Sequence, residues 1–179
     1  MATAPVILKR FNSYPKDFRK YFNDFPKLVK GFEWEVSIGY LFSLVELAHN
    51  TTIYCGVVKL HKVDKDLAWE AVNNQHIKRE SFWEFYKKIF KKLPEKNVLE
   101  KLGNASKTRN LMLHGKTIPE KEKRKAVDDI LSYASEFNKA VDHAAGFKPF
   151  GPLKGFKGRA MSLSKDTSRW VLKGMGFSM

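Results

Sequence analysis

The chain has 179 residues, 43% hydrophobic and 13% aromatic, which excludes a disordered polymer and is enough to bury a real core. Its 33 Lys and Arg against 19 Asp and Glu give a net charge of +14 and a pI near 9.8, which predicts attraction to polyanions through counterion release. A single cysteine, Cys55, excludes an internal disulfide and gives no sign of a secreted disulfide scaffold.

No stretch approaches the roughly 18 apolar residues of a membrane helix, and residues 1–11 have too short an apolar core for a signal peptide. The expectation is a cytoplasmic chain with no membrane partner. The charge leaves two kinds of partner open, a nucleic acid or an acidic protein.

In chain order, residues 1–15 read as a loose arm. Asp17 to Lys30 places Phe18, Tyr21, Phe22, Phe25 and Leu28 at helical spacing, interrupted by Pro26. These aromatics read as packed against a bundle rather than stacked on bases. Phe32 to about Leu60 is the longest helical signal: Trp34, Ile38, Leu41, Phe42, Val45, Ala48, Ile53, Val57 and Leu60 recur at three and four. The polar run His49-Asn50-Thr51-Thr52 weakens it and predicts a bend. Glu46 falls on or near the apolar stripe, either as a buried ion-pair partner or as the lining of a cleft.

Asp64 to Asn73 continues as a shorter helix through Leu67, Ala68, Ala71 and Val72. Asp64, Asp66 and His76 lack any recognisable metal spacing, so neither a metal nor another cofactor is expected. Arg79 to Leu93 is strongly amphipathic. Phe82, Phe85, Ile89 and Phe90 point inward, while Lys87, Lys88, Lys91 and Lys92 form an outer row. That row is a solvated face or a track for phosphates, and Pro94 ends the helix.

From about Glu95, Leu99, Leu102 and Ala105 and then Leu111 to Leu113 carry a helix into Lys107-Thr108-Arg109-Asn110-Leu111-Met112-Leu113-His114-Gly115-Lys116. Gly115 is the expected left-handed stop. Arg109 and His114 then lie about 7.5 Å apart along the axis and roughly 140° apart around it, so they do not share a face. A phosphate touched by both lies at the helix end or takes one residue from a second subunit. Histidine can pass a proton near neutral pH, and arginine presents a permanently charged fork to phosphate oxygens. The C-terminal end of a helix favours a protonated imidazole, which suits a general acid. Asn110 has an amide to orient either partner. Together these residues suit metal-free cleavage of RNA. The spacing alone carries little weight, since seven arginines and five histidines give roughly 0.6 such pairs by chance. The bland alternative is a solvated arginine and a histidine that caps terminal carbonyls.

Thr117-Ile118-Pro119-Glu120 reads as a capping box with proline in the first turn. It opens a last long helix through Ala126, Val127, Ile130, Ala134, Phe137 and Val141, closed by Gly146. Beyond it, Phe147, Phe150 and Phe156 interleave with Lys148, Lys154, Lys157 and Arg159 in a Gly/Pro-rich strap, suited to single-stranded nucleic acid or, preferably, to anchoring the strap on the bundle. Ser164 to Lys173 forms a short helix with Trp170 and Val171 inward, ended by Gly174. The organisation is thus an N-terminal arm with a short helix (1–30), a helical bundle (31–146) and a basic strap with a short helix packed on it (147–179). The fold class is all-α, an up-and-down bundle of four to five main helices.

An all-α bundle with Arg109-Asn110, three residues and His114 at the end of its penultimate helix resembles the HEPN family. Its signature is an arginine, usually followed by a polar residue, with a histidine four to six residues beyond. The resemblance covers roughly residues 30–146, and no other Arg–His pair in the chain has that spacing. It implies a homodimer whose motifs face each other across a cleft. It also implies a metal-independent endoribonuclease leaving 2′,3′-cyclic phosphate ends, with Arg109, Asn110 and His114 catalytic. Many members are toxins or phage-defence effectors, which brings in an antitoxin partner, and some are silent binding domains. Members often carry a further acidic or polar residue on an earlier helix, for which Glu46 is the only candidate. Lys107, Lys116, Lys87, Lys88, Lys91 and Lys92 are the expected RNA contacts. A catalytically silent RNA- or nucleotide-binding module and an interaction protein with an acidic partner are the alternatives.

Overall fold

The computed structural model describes residues 3–75, 77, 79–153 and 161–179, with Arg79 and Glu80 described as backbone alone. These residues form nine helices, and none of them forms a strand: α1 (Ala4–Ser13), α2 (Lys16–Tyr21), α3 (Phe25–Gly31), α4 (Trp34–His61), α5 (Lys65–Asn74), α6 (Arg79–Phe90), α7 (Lys96–Leu113), α8 (Glu120–Ala145) and α9 (Lys165–Met175). The fold is an all-α helical bundle, as the apolar periodicities predict. The chain divides into two compact units. The first comprises Met1–Val45, Pro94–Ala140 and Phe150–Pro152, and the second Glu46–Leu93, Val141–Pro149 and Leu153–Met179. No described helix is long and apolar enough to cross a membrane.

In the first unit the expected loose arm is a helix. Pro5 stands in the first turn of α1, where its missing N–H costs nothing, and Ile7 and Phe11, one turn apart, are buried. The apolar residues Pro5, Val6 and Leu8 around the first anchor are not buried, and they hide the helical period in the sequence. The aromatic run that follows packs as predicted. Phe18, Phe22 and Phe25 are buried, and the Tyr21 hydroxyl donates to the Leu44 carbonyl of α4 at 3.1 Å. Pro26 lies in the first turn of α3, so the chain breaks before it, at residues 22–24.

Phe150 is the hub of this aromatic cluster. Its ring lies 5.6 Å from Tyr21 and from Phe22, and 6.3 Å from Tyr133 and Phe137 of α8. Its backbone, outside any helix, is satisfied by one side chain: Asn138 Nδ2 donates to the Phe150 carbonyl at 3.0 Å, and the Phe150 N–H donates to Asn138 Oδ1 at 2.8 Å. Ion pairs join the helix surfaces: Arg10 with Asp128, Lys101 with Glu136, and Lys123 with Glu35. The bond from Lys123 holds the Glu35 carboxyl below the ordinary carboxylate range, against the opposing pull of burial. The predicted capping box is absent. α8 starts at Glu120 rather than inside the box, with the Pro119 carbonyl accepting from the Lys123 N–H at 3.2 Å. The Glu120 carboxylate instead accepts from Trp34 Nε1 at 3.1 Å and from Arg124 at 2.6 Å.

In the second unit α4 runs as one helix through the polar stretch that predicts a bend. Thr51 and Thr52 turn their hydroxyls back to the carbonyls of Leu47 and Ala48, at 2.9 and 2.7 Å. His49 is buried with its ring stacked on Phe82 at 3.7 Å. α5 begins on Asp64, whose carboxylate accepts from the N–H groups of Asp66 and Leu67, so this residue is a helix cap. α6 stops at Phe90, ahead of Pro94, because Lys91 adopts φ 68°.

Basic side chains close the ends of three helices here. Lys59 donates to the Gly146 carbonyl at 3.0 Å, His61 Nε2 lies 2.9 Å from the Ile89 carbonyl, and Lys88 donates to the Met175 carbonyl at 3.0 Å. Each meets the negative end of a helix dipole. α9 is held by further bonds, from the Asp64 N–H to the buried Ser168 hydroxyl at 2.9 Å and from the Ser178 N–H to Gln75 at 2.9 Å. Its orientation corrects the sequence reading: Trp170 points out and Gly174 lies within the helix. Ser168, Leu172 and Met175 face inward, and Gly176, at φ 97°, ends the helix. Leu172 and Phe177 are the buried apolar pair that brackets this end. Phe147 is buried, as an anchored strap requires; Lys154, Phe156, Lys157, Arg159 and His76 lie outside the described residues.

Replacing Asn138 with Leu leaves the buried N–H and C=O of Phe150 without partners. The expected cost is about 2–4 kcal/mol of stability, read from the urea midpoint. A loss below about 0.5 kcal/mol, the scale of an inert surface change, contradicts the clamp.

Candidate functional site

The helix end that carries the Arg–His motif is built by Gly115. At φ 70° this residue occupies the left-handed region that glycine enters without steric cost. The turn lets the Lys116 N–H donate to the Leu111 carbonyl and the Gly115 N–H to the Met112 carbonyl, both at 3.0 Å. This pair of bonds is a Schellman closure, which satisfies carbonyls that the end of α7 leaves free. His114 is the residue on which α7 ends, its own N–H donating to the Asn110 carbonyl at 3.0 Å and its side chain exposed. The backbone under the imidazole is therefore fixed on both sides.

Arg109 is held by packing. Its guanidinium carbon lies 5.0 Å from the centroid of the Phe42 ring, and Phe42 is fully buried in α4. A ring contact of this kind restrains where the guanidinium sits. The sequence placed Phe42 on the core stripe and gave no signal pairing it with a residue so far along the chain. Asn110, between the two motif residues, is exposed, as are Lys107 and Lys116. In the first unit the structure thus brings together Arg109, Asn110, His114, Lys107 and Lys116 on one helix end, with Arg109 half-buried and His114 in solvent.

The remaining expected site residues belong to the second unit. Glu46 belongs to the second unit and is exposed, so the periodicity that buries Val45 and Ala48 does not carry it inward. Lys87, Lys88, Lys91 and Lys92 also belong to the second unit and are exposed. Lys88 is committed to the Met175 carbonyl and lies 5.8 Å from the Phe85 ring, so it serves the fold. The expected apolar run into the motif is only partly buried. Val98, Leu102 and Ala105 face the core, while Leu111 and Leu113 are 45% and 69% exposed. Two leucines are therefore open to solvent beside the motif. Cys55 offers no competing nucleophile, because burial pushes its thiol up to about 12 and keeps it protonated.

No family model matches the chain, and no curated protein or solved structure matches it. Its own residues define an all-α bundle whose α7 ends on an exposed histidine five residues beyond an arginine packed on Phe42.

Gly115→Ala isolates the closure. A Cβ there meets no atom within 4 Å, so the only penalty is the left-handed backbone, about 1 kcal/mol. The expected result is faster amide hydrogen exchange at Lys116, with the global unfolding midpoint lowered only slightly. Unchanged exchange at Lys116 contradicts the closure.

Proposed function

We propose that this chain is a metal-independent endoribonuclease of HEPN type. The observation that carries the reading is the end of α7, where a fixed backbone presents the exposed imidazole of His114 five residues beyond the arginine held on Phe42. The 2′-hydroxyl of the substrate attacks the adjacent phosphorus and the 5′-oxygen leaves. The products are a 2′,3′-cyclic phosphate end and a free 5′-hydroxyl. His114 takes the proton of the nucleophile or gives one to the leaving oxygen, a contribution of roughly 10²–10⁴ in rate. Arg109 holds the phosphate as charge gathers on its oxygens, worth about 2–4 kcal/mol by analogy with a single oxyanion donor. Asn110 orients either group, and Lys107 and Lys116 draw the RNA backbone to the helix end. DNA, without the 2′-hydroxyl, is not cut.

Arg109 and His114 leave the helix on different sides. The site is therefore completed by a second copy of the chain in a homodimer, which sets the histidine of one protomer against the arginine of the other. The exposed Leu111 and Leu113 supply apolar area beside the motif for that contact. A cytoplasmic toxin or phage-defence effector, restrained by an acidic antitoxin, is the setting in which such an enzyme acts. The divergence of the two side chains within one copy also supports a second reading, a silent RNA- or nucleotide-binding module.

Mixing two dead variants separates these readings. In a shared site, a mixed dimer of Arg109→Ala with His114→Ala contains one complete Arg–His pair, so co-expression restores RNA cleavage that neither variant shows alone. No recovery, with mixed dimers verified by mass spectrometry, contradicts the shared site.

A further inference from the structure

Trp170 lies on the wrong side of α9 for a core residue. It is 77% exposed, on a helix whose inner face is already filled by Ser168, Leu172 and Met175. Two residues along a helix is a rotation of about 200°, so Trp170 stands almost opposite Leu172. The helix beneath it is anchored at both ends, by Ser164 as N-cap and by the Gly176 turn. The indole is thus held on a fixed support in open solvent.

Its surroundings select what it meets. A helical side chain covers the turn N-terminal to its own Cα, so residue 174 would ordinarily lean over Trp170. Residue 174 is glycine, with open space around it, and the indole face stays uncovered. Lys173, three residues on, is exposed on the adjoining part of the same helix face. Lys165 and Arg169 are exposed on the same helix, and its one acid, Asp166, is 3.4 Å from Arg169. The outer face therefore combines one large aromatic plane with a positive excess, on a chain of net charge +14.

We propose that the outer face of α9 is a stacking platform for single-stranded nucleic acid, with Trp170 under a base and Lys173 and Arg169 on its phosphates. A membrane surface fits less well, because the apolar face of α9 is spent on the protein and a lone indole among charges buries too little for insertion. A protein partner is favoured by a contiguous apolar patch, whereas the exposed residues flanking Trp170 on α9, Arg169, Lys173 and Gly174, are charged or small. The platform concerns binding alone and holds whether or not the chain cleaves RNA.

The test is fluorescence anisotropy of a short fluorescein-labelled single-stranded DNA, which has no 2′-hydroxyl, titrated with the natural protein, Trp170→Ala and Trp170→Phe. Trp170→Ala is expected to raise Kd roughly 5- to 100-fold at fixed salt, the range that base–aromatic stacking supplies. Trp170→Phe retains a ring and loses less. Lys173→Ala is expected to lower the salt slope by about one phosphate contact. Equal Kd values for the natural protein and Trp170→Ala overturn the proposal. So does Trp170-dependent binding to phosphatidylserine vesicles with no effect of Trp170→Ala on the DNA.

Discussion

Two hydrogen bonds between the side chain of Asn138 and the backbone of Phe150 let a non-helical piece of chain enter an all-helical core. Without them the backbone of Phe150 carries two unsatisfied polar groups into the first unit, and burial of the ring does not compensate for both. With them, Phe150 can serve as the meeting point of the aromatics before α3 and those of α8. The position of α8 in turn fixes the start of α4, through Trp34 on Glu120 and Lys123 on Glu35. α4 supplies Phe42, against which Arg109 is held. The arginine of the proposed site thus depends on an asparagine 29 residues further along the chain.

The second unit uses charge differently. Lys59 and Lys88 are placed on helix-end carbonyls, where a cation both satisfies an orphan acceptor and meets the helix dipole. Part of the large positive charge is therefore structural. The share open to a polyanion is smaller and more local: Lys107 and Lys116 around the α7 end, and the outer residues of α9. A basic composition draws nucleic acid towards the whole chain, and these two places add to charge a group that can act on it or stack with it.

Much of this was legible in the sequence. The three-and-four spacing from Trp34 to Val57 and from Ala126 to Val141 specifies the two long helices, because burying one stripe is the dominant energetic term for a helix of that length. Gly115 and Gly146 announced their helix ends, since only glycine takes the left-handed turn freely. α1 was missed because two buried residues one turn apart make too short a periodic signal. Trp170 was misplaced because hydrophobicity counts a tryptophan as core, whereas Ser168, buried by its bond to the Asp64 N–H, took the inward position. Phe42 beside Arg109 was beyond reach, since periodicity names the face of a helix and not what packs on it. The closing glycine of α9 was read as Gly174 when either Gly174 or Gly176 satisfied the local rule, and the Leu172–Phe177 pair decided for the later one.

The central claim is that the end of α7 performs metal-free chemistry on RNA. It is tested most directly by incubating a mixed RNA pool, including tRNA, with the natural protein and with His114→Ala side by side in EDTA. The account predicts cleavage by the natural protein, with cyclic phosphate ends, and its loss in a variant that remains folded. Equal cleavage by both proteins, or loss of cleavage on adding EDTA, contradicts it.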